Sequence, residues 1–243
     1  MAKKSPAKSA DHKAVIGDAG PALVFDLDGT LVDSVYQHVL AWREALEAAG
    51  IDLSIWRIHR RVGMSGGLFV NALLRELGWE LTAAQAEELQ AGHVKAFQRL
   101  GQQVRPLPGA LELLSRLTAD GIPWAVATSS AMVTAAPSLA MLQIPEGVPI
   151  VTRDEVPYAK PDPDLLQAAA ARLGVAIEDA IVVGDSIWDI LAARRARALG
   201  VGLLSGGYGR EELETAGAFR VYEDPARLLL HLYELGIRNA RRH

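Results

Sequence analysis

The stretch Val24-Phe25-Asp26-Leu27-Asp28-Gly29-Thr30-Leu31-Val32-Asp33-Ser34 decides the fold. Its apolar start reads as a buried strand, and Gly29 then releases the chain into a turn. Side chains alternate along a strand, so Asp26 and Asp28 project to one side just where the strand ends. Two carboxylates crowded in that way raise each other's pKa unless a cation neutralises them. A divalent metal does so naturally, and magnesium suits the site because it takes carboxylate, carbonyl and water oxygens and shares them with phosphate. Taken alone, Asp-Leu-Asp-Gly describes a capped turn equally well, because Asp often precedes Gly in turns.

Three further pieces favour chemistry over a turn. Thr128 and Ser129 follow the apolar run Trp124-Ala125-Val126-Ala127, Lys160 precedes Pro161-Asp162-Pro163-Asp164, and Asp185 and Asp189 follow Ile181-Val182-Val183-Gly184. Open parallel sheets gather their ligands at the carboxyl ends of strands, where three of the four pieces fall. Each has a plainer reading as well. Thr128 caps a helix, Asp162-Pro163-Asp164 starts one with Asp162 at the cap, and Asp185-Ser186 with Asp189 caps another.

In this order and spacing, Asp-Leu-Asp-Gly-Thr-Leu-Val-Asp-Ser, Ala-Thr-Ser-Ser, Ala-Lys-Pro-Asp-Pro and Gly-Asp-Ser-Ile-Trp-Asp-Ile resemble the four motifs of the haloacid dehalogenase-like hydrolases, over residues 22–235. The resemblance implies an α/β fold, a Rossmann-like parallel sheet core with an inserted α-helical cap domain. It also implies roles that agree with the chemistry of the residues. Asp26 is the expected nucleophile, forming an aspartyl phosphate. Asp28 is the expected acid that protonates the leaving oxygen and the base that then activates water. Asp26, the backbone carbonyl of Asp28, Asp185 and Asp189 are the expected holders of Mg2+, Asp189 directly or through water. Thr128, with Ser129 and Gly29 beside it, is expected to meet phosphoryl oxygens, and Lys160 to offset charge on nucleophile and phosphate.

The alternation of strand-like runs at 22–27, 123–127, 149–151, 180–183, 202–204 and 219–221 with helical stretches independently favours a parallel sheet covered on both faces. About ninety residues separate the first two runs, far more than a one-helix crossover needs. Helical patterns fill that interval at 35–49, 54–62, 68–77 and 82–100, the last opened by a capping box of Thr82 and Gln85. Arg105-Pro106-Leu107-Pro108-Gly109 reads as the returning hinge. We therefore expect a cap at 34–105, a core at 21–33 and 106–243, and a disordered lysine-bearing tail at 1–20.

The chain has 243 residues, a net charge of −4 with both signs interspersed, and no cysteine. That balance argues against nucleic acid as a partner, and the absence of cysteine excludes disulfides, thiolate metal sites and thiol nucleophiles. No apolar stretch approaches the ~20 residues a membrane helix needs, so a cytoplasmic protein without membrane contact is expected, as monomer or homodimer.

Asp28 points away from the dehalogenases of the family, which lack an acid there, and the insert's one lysine, Lys95, stands where a solvated side chain is expected, against the imine-forming branch. The expectation is a phosphatase for a small phosphorylated metabolite, of the phosphoglycolate or sugar-phosphate kind. His38 resembles a histidine of the β-phosphoglucomutases and keeps that transferase as an alternative. The loop Arg60-Arg61-Val62-Gly63-Met64-Ser65-Gly66-Gly67 opposes it, because Gly66 and Gly67 stand where the mutases carry a basic residue. Arg61 and Ser65 are the expected contacts for the rest of the substrate. A non-catalytic protein keeping the fold and metal site is a second alternative, and no catalytic residue is missing to support it.

Overall fold

The computed structural model describes residues 21–64, 66–78 and 82–237. The tail expected at 1–20 and the candidate Ser65 lie outside the described residues.

The chain enters through β1 (Ala22–Phe25), turns through Gly29 and runs along a short β2 (Val32–Asp33) into four helices, α1 (Val35–Ala48), α2 (Ile55–His59), α3 (Gly66–Leu77) and α4 (Ala83–Leu100). It returns through β3 (Arg105–Pro106), which pairs antiparallel with β2, Val32 opposite Pro106 and Asp33 opposite Arg105. The two links to the inserted helices are thus tied to each other by a short ribbon. The remaining elements are α5 (Ala110–Ala119), β4 (Trp124–Ala127), α6 (Met132–Met141), β5 (Ile150–Val151), α7 (Asp164–Leu173), β6 (Ala180–Gly184), α8 (Ile187–Ala196), β7 (Leu199–Leu203), α9 (Arg210–Ala216), β8 (Arg220–Tyr222) and α10 (Pro225–Leu230).

The sheet has the order β5-β4-β1-β6-β7-β8 and is parallel throughout. The alternation of side chains along β1 explains its central place. Leu23 and Phe25 pack on one face against Leu113 and Leu117 of α5, while Val24 packs on the other against Leu165 and Ala169 of α7 and Ala192 of α8. Each large apolar side chain so buried contributes roughly 1.5–3 kcal/mol. The strand is clamped from both faces, and the residues after it inherit a rigid origin. Because the order reverses about β1, the crevice beyond its carboxyl end is the natural place for a ligand.

The inserted helices have their own core, in which Val39, Trp42 and Leu46 of α1 meet Ile58, Phe69 and Leu89. The capping box opens α4, with Gln85 N–H donating to Thr82 Oγ1 and Thr82 N–H to Gln85 Oε1.

Two local expectations need correction. β7 begins at Leu199 rather than at 202, because Leu199, Gly200 and Val201 already pair with β6. A Cβ at Gly202 would press on Leu213 of α9, so this glycine permits close helix packing, whereas one at Gly200 would only touch Ala193 and Ile190 of α8. Asp162 does not cap α7. Its carboxylate accepts from Arg195 at 2.8 Å, and Pro163 occupies the cap position.

Candidate active site

Four strand ends converge. Asp26 follows β1, and its N–H continues the ladder to Val183 O at 2.9 Å; Thr128 follows β4, with its N–H on Val151 O at 2.9 Å. Asp185 follows β6, and Ser205-Gly206 follows β7. Asp26 and Thr128 are therefore placed by the last hydrogen bond of a strand rather than by a free loop.

Asp26, Asp185 and Asp189 bring one carboxylate oxygen each within 4.8 Å of one another, all buried. Lys160, 1% exposed on the loop before α7, contacts the Asp26 carboxylate and reaches Asp189 Oδ1 at 2.7 Å. Asp189 also accepts from Ser186 N–H at 3.0 Å and Ser186 Oγ at 2.5 Å, so it caps α8 while it faces Lys160.

One lysine does not balance three buried acids. Burial pushes the Asp26 carboxyl up to about 7, with Lys160 opposing and Asp189 and Asp28 adding to the rise. Burial and the neighbouring Asp189 and Asp26 also hold Asp185 well above the usual carboxylate range, although Thr30 Oγ1 donates to its Oδ1 at 3.0 Å. Burial disfavours the Lys160 charge, but Asp189 and Asp26 overcome it and keep the ammonium charged. A hard divalent cation fits this all-oxygen, under-neutralised set, and magnesium matches the donors in kind. Glycines make room for it: a Cβ at Gly206 would overlap the Asp185 carboxylate, and one at Gly29, which has φ +82°, would stand 2.6 Å from Asp185 Oδ2.

Asp28 departs from the expectation of mutual elevation. Burial pushes it up, yet His38 and hydrogen bonds from His38, Ser34 and Ser130 outweigh that and hold its carboxyl well below the usual range. Ser34 Oγ donates to Oδ1 at 2.6 Å, Ser130 Oγ to Oδ2 at 2.7 Å, and His38 Nε2 lies 3.2 Å from Oδ1. Asp26 and Asp28, one residue apart, thus live in different surroundings, the first beside Lys160 and two further acids, the second between two hydroxyls and the His38 ring.

A cleft of ≈ 120 Å³ opens between this cluster and the inserted helices. Asp26, Asp28, Thr128, Ser129, His38 and Arg61 all line it. Thr128 Oγ1 accepts from Ser130 N–H at 3.0 Å, and Ser129 Oγ is buried with no hydrogen-bond partner among the described residues. Arg61 is steadied by donating from Nη1 to Arg57 O at 2.8 Å. Arg60 points elsewhere, pairing with Glu212 of α9 and lying over the Tyr208 ring at 4.2 Å.

Residue reasoning passed over Thr30, Ser34, Ser130 and His93. The first three stand inside or beside the quoted motifs, where their hydroxyls were an available signal. His93 carried none, since a histidine on a helix reads as packing.

The family model of the haloacid dehalogenase-like hydrolases matches residues 21–197, and the chain belongs to that family. It is 33% identical over 202 residues to a phosphoglycolate phosphatase of Caulobacter vibrioides, covering 82% of this chain and 85% of that one. It is 31% identical over 216 residues to the β-phosphoglucomutase of Bacillus subtilis, covering 86% and 93%. A solved structure of a hydrolase from Pseudomonas syringae superposes with a TM-score of 0.86 at 55% identity, over 88% of this chain and 98% of the other.

Proposed function

We propose that this chain is a Mg2+-dependent phosphatase that hydrolyses a small phosphorylated metabolite, of the phosphoglycolate or sugar-phosphate kind, through a phosphorylated Asp26. The observation that carries the reading is the convergence of Asp26, Asp185 and Asp189 within 4.8 Å beside Lys160, with Asp28 held by Ser34 and Ser130 at the cleft next to them.

Asp26 attacks phosphorus, and Lys160 offsets charge on it and on the phosphoryl oxygens. Asp28 protonates the leaving oxygen, and in its ionised form takes a proton from the water that cleaves the acyl phosphate. Thr128 and Ser129 donate hydroxyl hydrogen bonds to the phosphoryl group. Asp26, the Asp28 carbonyl and Asp185 would hold Mg2+, with Asp189 anchoring Lys160 beside it; the ion, when bound, neutralises the acids and the transferring phosphoryl. Residues 34–105 act as a cap that excludes water, with 21–33 and 106–243 as the core. The cleft's size suits a small substrate, with Arg61 facing its non-reacting end.

The similarity to phosphoglycolate phosphatases supports the substrate class. The contact of His38 with Asp28 and the likeness to a β-phosphoglucomutase favour a second reading, phosphoryl transfer between sugar hydroxyls. Against it, Gly66 and Gly67 offer no cation for a second phosphate, and Arg60 is taken by Glu212. The test is phosphate release from 2-phosphoglycolate, hexose and pentose phosphates and nucleotides, with Mg2+ and with chelator. Magnesium-dependent release supports the phosphatase; conversion of β-glucose 1-phosphate to glucose 6-phosphate without release replaces it with the mutase.

A further inference from the structure

His93 lies on α4, 8% exposed, far along the chain from every motif of the site. Its Nε2 stands 3.1 Å from His38 Nδ1, and His38 Nε2 faces Asp28 Oδ1 at 3.2 Å. The result is a continuous line, Asp28-His38-His93, running from the core into the inserted helices. Both imidazoles are held in plane by other rings. His38 stacks on Phe97 at 3.8 Å and 8°, and His93 stacks on Trp42 at 4.3 Å and 17°.

Stacking alone leaves one choice open. A histidine ring held in its plane can still turn over, exchanging the positions of its nitrogens and carbons, and its proton can sit on either nitrogen. The hydrogen bond made by the other ring nitrogen normally settles both. For His38 that bond goes to His93, and it is the hydrogen bond that His93 makes among the described residues. Burial, with His38 beside it, holds His93 well below the ordinary imidazole range, so it meets His38 as a neutral ring.

We infer that His93 is a positioning residue for the reaction: it fixes the ring face and tautomer of His38, so that Nε2 addresses Asp28 and sets the direction of that carboxyl toward the leaving oxygen. The inference rests on the reading of Asp28 as the acid and base. It also makes the seating of α1 against α4 a condition for a well-aimed proton donor. The competing account is a core histidine that only fills space between Trp42 and Phe97.

The two accounts separate on leaving group and on repair. His93→Phe keeps a ring in the stack and removes the hydrogen bond, whereas His93→Gln restores a hydrogen-bonding group without an imidazole. Activity is read as kcat/KM with Mg2+ on two alkyl esters, 2-phosphoglycolate and glucose 6-phosphate, and on p-nitrophenyl phosphate, whose leaving group departs without needing an acid. The expected result for His93→Phe is a fall of about 10- to 100-fold on the alkyl esters and little change on the aryl ester, with partial recovery in His93→Gln. Equal losses on all esters, or none on the alkyl esters, would overturn the inference.

Two controls complete the test. Asp28→Asn assayed in parallel tells which idea fails: if it is inactive while His93→Phe is normal, only the inference about His93 falls, and if it too is normal, the role of Asp28 falls with it. A nitrogen-15 spectrum of the unaltered protein removes any dependence on variant folding. A single His38 tautomer with scalar coupling from His38 Nδ1 to His93 Nε2 supports the proposal; averaged tautomers without coupling contradict it.

Discussion

The two walls of the cleft are built on opposite principles. The sheet wall presents Asp26 to the cleft and holds Lys160, Asp185 and Asp189 beside it, four ionisable groups at 1–6% exposure, Asp189 from the first turn of α8 and the others from strand ends and a loop. The helical wall holds His38 and His93 within a stack of Trp42, Phe69 and Phe97, where stacked rings set position. A buried charge is tolerated only with opposing charge nearby, so the sheet wall depends on Lys160 and on a cation to compensate its acids. A wall aimed by shape and hydrogen bonds should degrade by degrees. The difference predicts a ranking of effects, and each experiment below either sharpens it or breaks it.

The largest effect belongs to Asp26→Asn. The amide keeps the shape but not the nucleophile, so phosphate release should fall at least about 10⁴-fold. The thermal midpoint should hold or rise, because removing this charge relieves repulsion with Asp189 and Asp28 while Lys160 keeps Asp189. A comparable loss from any change on the helical wall would break the contrast.

Chelation tests the sheet wall as a unit. Removing divalent ions should abolish phosphate release, and Mg2+ should restore it in full. In the unaltered protein Mg2+ should also raise the thermal midpoint, because it binds the folded cluster, whereas Asp185→Ala should lose most of that rise. An equal rise in both proteins would place the ion elsewhere.

Asp28 joins the two walls, and Asp28→Asn should fall between them, at about 10²- to 10⁴-fold in kcat/KM on alkyl esters. A step smaller comes Gly206→Ala. Its Cβ would overlap the Asp185 carboxylate, which must then turn from its place beside Thr30. The Mg2+ concentration for half-maximal activity should rise about tenfold or more, with activity recovered at saturating Mg2+. A lowered kcat at saturation would mean that Asp185 serves catalysis beyond holding the ion.

The same contrast explains what could be read in advance. Asp26, Asp28, Thr128, Asp185 and Asp189 were legible because a strand end is announced by a short apolar run, and the first residues after it have nowhere to go but the crevice. Lys160 was legible only through its place in the motif order, since its burial against Asp26 is created by the fold. His38 was named without its partner, because a helix spreads its lining residues at intervals that ordinary packing also uses. His93 is brought to His38 across two helices, and a Trp-His-Phe stack looks in sequence like any apolar face. The start of β7 was missed for a related reason: Gly200 reads as punctuation until its pairing with β6 comes into view.

The smallest effect should come from the rim where the walls meet. His59 Nε2–H donates to Gly206 O at 2.7 Å, Trp188 Nε1 and Tyr208 Oη donate to Arg60 O at 3.2 and 2.9 Å, and Arg60 pairs with Glu212. These contacts fasten α2 and its following loop to the core beside Asp185. The Arg60–Glu212 pair is partly exposed, so it contributes about 0.2–1 kcal/mol to that fastening. Glu212→Ala should therefore raise KM by no more than about fivefold and leave kcat nearly unchanged, because the neutral contacts persist and the chemistry is untouched. The effect should also fade with salt, which screens an exposed pair but not the buried cluster. The ratio of variant to unaltered KM, measured from low to high ionic strength, should approach one. A ratio that stays constant would mean that Glu212 acts by shaping the start of α9, where it also accepts from Gly209 N–H at 2.8 Å, rather than through its charge.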